Sequence, residues 1–322
     1  MSIRITGRCL IVSTFLLAGC RDAGAARGSP VERGRYLVDH LYDCGACHTP
    51  TLPSGAPDPA RYLAGVECRF DVDPAPGRGC INSKNLTSHA RGLGNVTDDR
   101  AVKAMIVDGR RPDGKLLHPV MPAYVFHNMP DEHADAIVAF LRSVPGVDLL
   151  VPPSEPPFEQ APERATPPLD MALVPEVPSD ARDADSARRG RRLVAAACVG
   201  CHTPPPAVRA PGVVPLDTTR LLAGGRGFDS ASLGYVSPGL PPRIYSQNLT
   251  QHETGLLGWA ADDVVRVLLE GKDREGKGVC PPMPTAAFHG LARADAQDIA
   301  RYLVTLPGID NPLPGGCALE PR

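Results

Sequence analysis

The sequence predicts an all-α chain built from two copies of one helical unit, and three observations carry that expectation. Cys44-Gly45-Ala46-Cys47-His48 recurs as Cys198-Val199-Gly200-Cys201-His202, each copy running on into Thr49-Pro50 or Thr203-Pro204. Helix start and stop signals fall at matching places around the two copies. Each half then closes with a segment whose apolar residues recur at helical spacing before a Pro-Gly stop.

Taken in order, Ser29, Pro30 and Glu32 form a helix start: a capping serine, a proline at the first helical position and a glutamate three residues after the cap. This helix is expected to run through Tyr36, Leu37 and Leu41 into Cys44. Ser186 to Ala197, with Leu193 and Val194 on its apolar side, takes the same place in the second half. Residues 50 to 80 are rich in Pro and Gly without a regular period and are expected to form a long irregular loop. A third helix ends at Asp108-Gly109, matched by one ending at Glu270-Gly271, each glycine standing where a left-handed cap belongs. Asp98 and Asp99, like Asp262 and Asp263, suit the positive start of that helix. The closing helices are expected from Asp131 to Val144, with Ile137, Leu141 and Val144 aligned, and from Ala294 to Leu306, with Ile299, Leu303 and Leu306 aligned. Pro145-Gly146 and Pro307-Gly308 stop them.

The length of 322 residues suits two domains, and 36 Pro with 32 Gly imply much loop and linker. The expected division is a signal peptide over 1–19, a tether over 20–29, a first domain over 30–148, a linker over 149–185, a second domain over 186–311 and a tail over 312–322. The linker carries two Arg against eight Asp and Glu over 151–186, and its prolines favour an extended, semi-rigid strand. At the start of the chain, Arg4 and Arg8 precede a short apolar run that cannot span a bilayer. Leu17-Ala18-Gly19-Cys20 is similar to a bacterial lipobox, which makes Cys20 the candidate lipidated residue and places the chain in the cell envelope, on the periplasmic face of a membrane. The competing reading is an ordinary signal peptide cut slightly later, with Cys20 incidental. The formal net charge of -2 and the lack of a basic patch give no support to nucleic-acid binding.

The pentapeptide carries chemistry. Two cysteines at i and i+3 on a helical turn can add across the two vinyl groups of a haem, and the histidine that follows reaches the iron from the same side. Cys44, Cys47, Cys198 and Cys201 are therefore the expected attachment points of two haem c groups, with His48 and His202 as proximal ligands. A redox Cys-x-x-Cys pair or half a zinc site would be the alternative for a single copy; duplication and the adjoining histidine decide against it. Met121-Pro122 and Met283-Pro284 stand twelve residues after the capping glycine in both halves, and five before Phe126-His127 or Phe288-His289. A methionine thioether opposite the proximal histidine raises a haem's reduction potential into the range of electron carriers, so Met121 and Met283 are the candidate distal ligands. His118, His127, Met129 and His133 compete in the first half and His289 in the second. Four further cysteines, Cys68, Cys80, Cys280 and Cys317, suggest disulfides in an exported protein. Three pairings are open; Cys68 with Cys80 and Cys280 with Cys317 each close a modest loop within one half.

With those residues in hand, the chain resembles the class I cytochrome c family, and more narrowly the multi-haem cytochrome subunits of bacterial membrane-bound alcohol, sugar and gluconate dehydrogenases. Asn85-Leu86-Thr87, Gly92-Leu93-Gly94, Gly109 with Asp113-Gly114, Met121-Pro122 and the closing Leu141-Arg142-Ser143-Val144-Pro145 carry the likeness in the first half. Gly255, Gly258 and Trp259 strengthen it in the second. The resemblance implies two tandem, mostly helical cytochrome domains, His and Met axial ligands, and electron relay between a dehydrogenase or quinol donor and a downstream cytochrome or oxidase, with no bond chemistry of its own. It also places Asn85, Asn248 and Trp259 near the haem edge, although turn formation explains the asparagines equally well. The family's subunits usually carry three haem domains, and Asn95 stands where a tryptophan is expected. A dihaem peroxidase-like enzyme, or a haem-based redox or gas sensor with one open axial position, is the competing class. The halves carry about -2 over 30–150 and +3 over 187–311, which suggests different docking partners for each.

Overall fold

The computed structural model describes residues 28–71, 80–155, 162, 164–207, 213–229 and 240–314. The first half begins with α1, Pro30–Tyr36, whose start is a full capping box between Ser29 and Glu32. A π turn over Leu37–Leu41 prolongs it, and α2, Gly45–His48, follows at once. A hairpin of β1, Val66–Asp71, and β2, Cys80–Ser83, leads through a loop to α3, Asp99–Val107. The short α4, Ala123–Phe126, and the closing α5, Asp131–Ser143, complete the half. The second half repeats the order with α6, Ala184–Ala197, α7, Val199–His202, β3, Gly227–Asp229, β4, Arg243–Tyr245, α8, Ala261–Glu270, α9, Thr285–Phe288, and α10, Arg293–Leu303.

The all-α expectation is corrected by the two antiparallel two-stranded sheets, β1 with β2 and β3 with β4. One of them lies inside the stretch from 50 to 80 that reads as irregular loop. Its alternation is hidden because the register shifts between Val66 and Phe70, with Cys68 at φ 49° inside the strand. The strands of the second sheet span three residues each, too few to establish a period of two. Among the described residues no helix is long and apolar enough to cross a membrane.

Within each half the first helix crosses the closing helix at a glycine. A Cβ on Gly34 would lie 1.9 Å from the Ala136 carbonyl oxygen on α5, and one on Gly190 would lie 1.8 Å from that of Asp298 on α10. Neither distance leaves room for any other residue, so these glycines set how closely the helices approach. The crossing buries Leu37, Val38, Ile137 and Leu141 in one half and Leu193, Val194, Ile299 and Leu303 in the other, each worth about 1.5 to 3 kcal/mol of apolar transfer. The first half has ten residues from its crossing glycine to Cys44, the second eight to Cys198. The π turn and Asp43, at φ 43°, take up the difference.

The halves share one continuous apolar core. The short helix after each Met-Pro packs against the first helical segment of the opposite half: α4 against α6, and α9 against the π turn. Polar contacts reinforce the apposition. Arg33 meets Asp295 at 3.4 Å and His133 Nε2 at 2.8 Å, the Tyr36 hydroxyl donates to Asp295 at 2.7 Å, and His40 Nδ1 donates to the Ala287 carbonyl at 2.9 Å.

The proline-rich connection joins this core. Leu169 and Val174 are buried, the Leu169 amide donates to the Tyr124 carbonyl on α4, and Asn128 donates to the Leu169 carbonyl. From the other side Arg191 donates to the carbonyls of Met171, Val174 and Pro175 at 2.6, 2.8 and 3.1 Å. Because proline removes backbone donors but leaves carbonyls, an arginine fork is a suitable fastener for such a strap.

Candidate haem-binding sites

Both attachment motifs form a single helical turn, α2 and α7, so Cys44 with Cys47 and Cys198 with Cys201 stand one turn apart with the histidine next in line. The turn is held by the same bonds in each half: the amides of His48 and His202 donate to the carbonyls of Cys44 and Cys198, at 3.0 and 2.9 Å. Thr49 and Thr203, buried behind the motif, accept from the Leu63 and Leu222 amides. The Gly65 and Gly224 amides donate to the histidine carbonyls at 2.8 and 2.7 Å.

The imidazoles are oriented in the same way. His48 Nδ1 donates to the Lys84 carbonyl at 2.7 Å, and His202 Nδ1 to the Gln247 carbonyl at 2.8 Å. A carbonyl can only accept, so Nδ1 carries the hydrogen and Nε2 the lone pair, the arrangement that suits a metal-ligating histidine. Burial pulls the His202 pKa below its ordinary value and favours the neutral form that can ligate.

The thiols fit haem attachment better than the alternatives. Burial pushes Cys44 up to about 12, with the Asp43 and Asp39 charges acting in the same direction, and burial pushes Cys198 to about 12. Cys201 is also raised by burial, against the opposing charge of Arg226. A redox Cys-x-x-Cys pair needs a lowered pKa on one thiol, and none of these four cysteines sits in a disulfide. Among the described residues no group of three or more His, Cys, Asp or Glu side chains is arranged to hold a metal ion. The residues therefore fit covalent haem.

The Met-Pro segments share their local backbone bonding, while the Pro281-Pro282 peptide before Met283 is cis and has no cis counterpart before Met121. The Met121 amide donates to the His118 carbonyl at 3.0 Å and the Ala123 amide to the Met121 carbonyl at 2.8 Å; Met283 with Cys280, and Thr285 with Met283, repeat the pattern at 3.2 and 2.8 Å. Gly109 and Gly271, at φ 61° and 63°, cap the preceding helices as the sequence implies. Both methionines are half-buried. Three of the four competitors in the first half are engaged elsewhere: Met129 is buried in the core, His133 lies between Arg33 and Tyr42, and His127 Nδ1 lies 3.2 Å from both the Val107 carbonyl and Asp108, while His118, in the Met121 loop itself, accepts from the Val120 amide at 3.1 Å.

Asn85 and Asn248 are buried and close turns. Each Oδ1 accepts from the amide and hydroxyl of the threonine two residues on, while Nδ2 donates to the Val147 and Leu149 carbonyls in one half and the Ile309 carbonyl in the other. This bonding accounts for both residues through turn formation. Trp259 packs against the core edge with the Arg274 guanidinium 5.7 Å from its ring centre. Cys68 and Cys80 meet as a pair with their Cα atoms 4.9 Å apart. Cys20 and Cys317 lie outside the described residues. Sequence reading missed Tyr124 and Arg226, which both approach Gly200 in the second attachment turn; the signal available was a tyrosine after Met-Pro that Ala286 does not repeat.

No protein-family description matches the chain. The cytochrome c subunit of a quinone-dependent alcohol dehydrogenase from Gluconobacter oxydans is 29% identical over 324 residues, covering 93% of this chain and 59% of that one. A dihaem c-type cytochrome from Cereibacter sphaeroides is 34% identical over 120 residues, 36% of each chain. The chain resembles these cytochromes. The fructose dehydrogenase cytochrome subunit of Gluconobacter japonicus is 34% identical over 117 residues, 35% of this chain and 22% of that subunit. The chain thus spans less than two thirds of the length of each of these relatives.

Proposed function

We propose that this chain is an electron carrier of the bacterial cell envelope, made of two haem c domains over 30–148 and 186–311 joined by the connection at 149–185. Haem iron held by protein ligands on both faces exchanges one electron without binding a substrate. Cys44, Cys47, Cys198 and Cys201 hold the two groups, His48 and His202 ligate proximally, and Met121 and Met283 distally. The observation that carries this reading is the doubled Met-Pro loop, in which the same two backbone hydrogen bonds bracket each methionine twelve residues after a capping glycine. The donor is a dehydrogenase subunit, as the names of the similar subunits suggest, or a quinol, and the acceptor is a soluble cytochrome or terminal oxidase. Lipidation at Cys20 would hold the chain at the periplasmic face of a membrane, and the disulfides Cys68–Cys80 and Cys280–Cys317 would brace its loops there.

Optical and magnetic spectra of the oxidised protein test the reading. Two low-spin haems are expected, and Met121→Ala and Met283→Ala are each expected to convert one of them to a high-spin form that binds cyanide. A wild-type haem that is already high-spin and takes up peroxide would place the protein among peroxidase-like enzymes. Mass analysis of the mature N-terminus checks the anchor, since an unmodified Cys20 thiol rules it out.

A further inference from the structure

The two attachment turns have different electrostatic surroundings. Beside the first, Asp43 adjoins Cys44 and Asp39 lies about one turn earlier, its carboxylate accepting from the Tyr62 hydroxyl. The Cys47 carbonyl there is met by an uncharged group, the Ser83 hydroxyl. Beside the second, Arg226 Nη1 donates to the Gly200 carbonyl at 2.5 Å, within the Cys-x-x-Cys itself. One turn carries anions and the other a cation.

The first half also reaches into the second turn. Tyr124 is buried on α4, three residues beyond Met121, and a Cβ built on Gly200 would lie 3.9 Å from its hydroxyl and 3.6 Å from Val125 Cγ2. The Arg226 charge also acts on that phenol, and Arg226 and Tyr124 converge on the same glycine. The Leu169 amide, donating to the Tyr124 carbonyl at 2.8 Å, fastens α4 in this position. A short path of contacts therefore runs from the Met121 segment through Tyr124 to Gly200, one residue from Cys201, and Arg226 donates to the carbonyl of that glycine. At the corresponding place in the second half stands Ala286, whose methyl group offers no such reach.

We propose that Tyr124 and Arg226 join the two haem sites electronically, and that the Arg226 charge, set against Asp39 and Asp43, makes the second site the electron acceptor of the pair. This rests on the dihaem carrier reading above. A fixed positive charge favours the reduced form of a nearby centre, because reduction adds one negative charge; fixed anions disfavour it. One electron leaves the first site and one arrives at the second, with no bond broken and no proton moved.

The test uses the full chain with both haems attached. In a redox titration followed optically, Arg226→Gln is expected to lower the higher-potential transition alone, changing the equilibrium between the sites about tenfold, or 59 mV for a one-electron couple. Arg226→Lys should retain most of the wild-type value. Asp43→Asn should raise the lower transition alone. Tyr124→Phe keeps the ring over Gly200 and removes the hydroxyl; it should slow transfer between the sites several-fold after photoreduction while both transitions stay in place. Movement of the lower transition in Arg226→Gln, or of neither, overturns the assigned direction, and an unchanged transfer rate in Tyr124→Phe overturns the bridge. Loss of low-spin spectra in the wild-type protein would instead count against the carrier reading itself.

Discussion

His133 on the first closing helix and Asp295 on the second both stand twelve residues after the half's methionine, and both meet Arg33. Arg33 precedes the crossing glycine of the first half. Its counterpart before the second crossing glycine, Arg189, turns instead to Asp298 of its own half, at 2.6 and 2.8 Å. These backbone features repeat: glycine crossings, asparagine turns, carbonyls that orient the histidines and the hydrogen bonds that bracket each Met-Pro methionine. The side chains at the junction do not repeat. Backbone contacts within a half thus reproduce the site twice, while unlike side chains between halves give the pair a single way of facing each other.

The largest test of the shared frame is at the crossings. Gly34→Ala and Gly190→Ala each set a methyl group against a backbone carbonyl that has nowhere to move, and each should cost more than about 3 kcal/mol. Thermal unfolding followed through haem absorbance measures it. If one half accepts alanine at little cost, the frames are not equivalent and the repeat is only a likeness of sequence.

Breaking the unlike junction is the next test. His133 is 5% exposed, accepts from Arg33 through Nε2 and donates from Nδ1 to the Tyr42 hydroxyl at 3.0 Å. Burial, and next the Arg33 charge, hold its pKa down to about 4. Between that value and the ordinary value near 6.5 the unfolded chain binds the proton that the folded chain refuses. Stability should therefore fall as pH drops through this window, by up to about 3 kcal/mol from this group. His133→Gln keeps a neutral polar side chain there and should flatten that dependence in denaturant titrations between pH 7 and 4. An unchanged slope would mean that the junction is not held through this histidine.

What could be read from the sequence follows the same division. The capping box at Ser29 and Glu32, the left-handed glycines 109 and 271 and the closing helices, which end within three residues of expectation, all rest on bonds between near neighbours. The attachment turns were legible for that reason, as was the Cys68 and Cys80 pair across twelve residues. Gly34 and Gly190 gave no local sign of their importance, because the atoms they avoid lie on a helix about a hundred residues away. Arg33 with Asp295 is separated by 262 positions. The bulged hairpin lost its alternation to one residue of positive φ. The all-α reading failed there because strands this short are stabilised by their pairing and by the loop around them rather than by a pattern of their own.

The smallest effect concerns the connection, where composition suggests an extended strand and packing makes part of that strand core. Arg191→Ala would leave the Met171, Val174 and Pro175 carbonyls without their shared donor and release Glu176, 2.7 Å from the same guanidinium. The Tyr302 hydroxyl, donating to the Pro175 carbonyl at 2.8 Å, would remain as a second fastener. A loss of about 2 kcal/mol is expected, below the sum of the broken bonds because water replaces part of them. Limited proteolysis should then cut between the halves sooner, while the optical spectra of both haems stay as in the wild type. If cleavage is not accelerated, burial of Leu169 and Val174 holds the strap unaided, and the contact between α4 and α6 is set by apolar packing more than by the arginine fork.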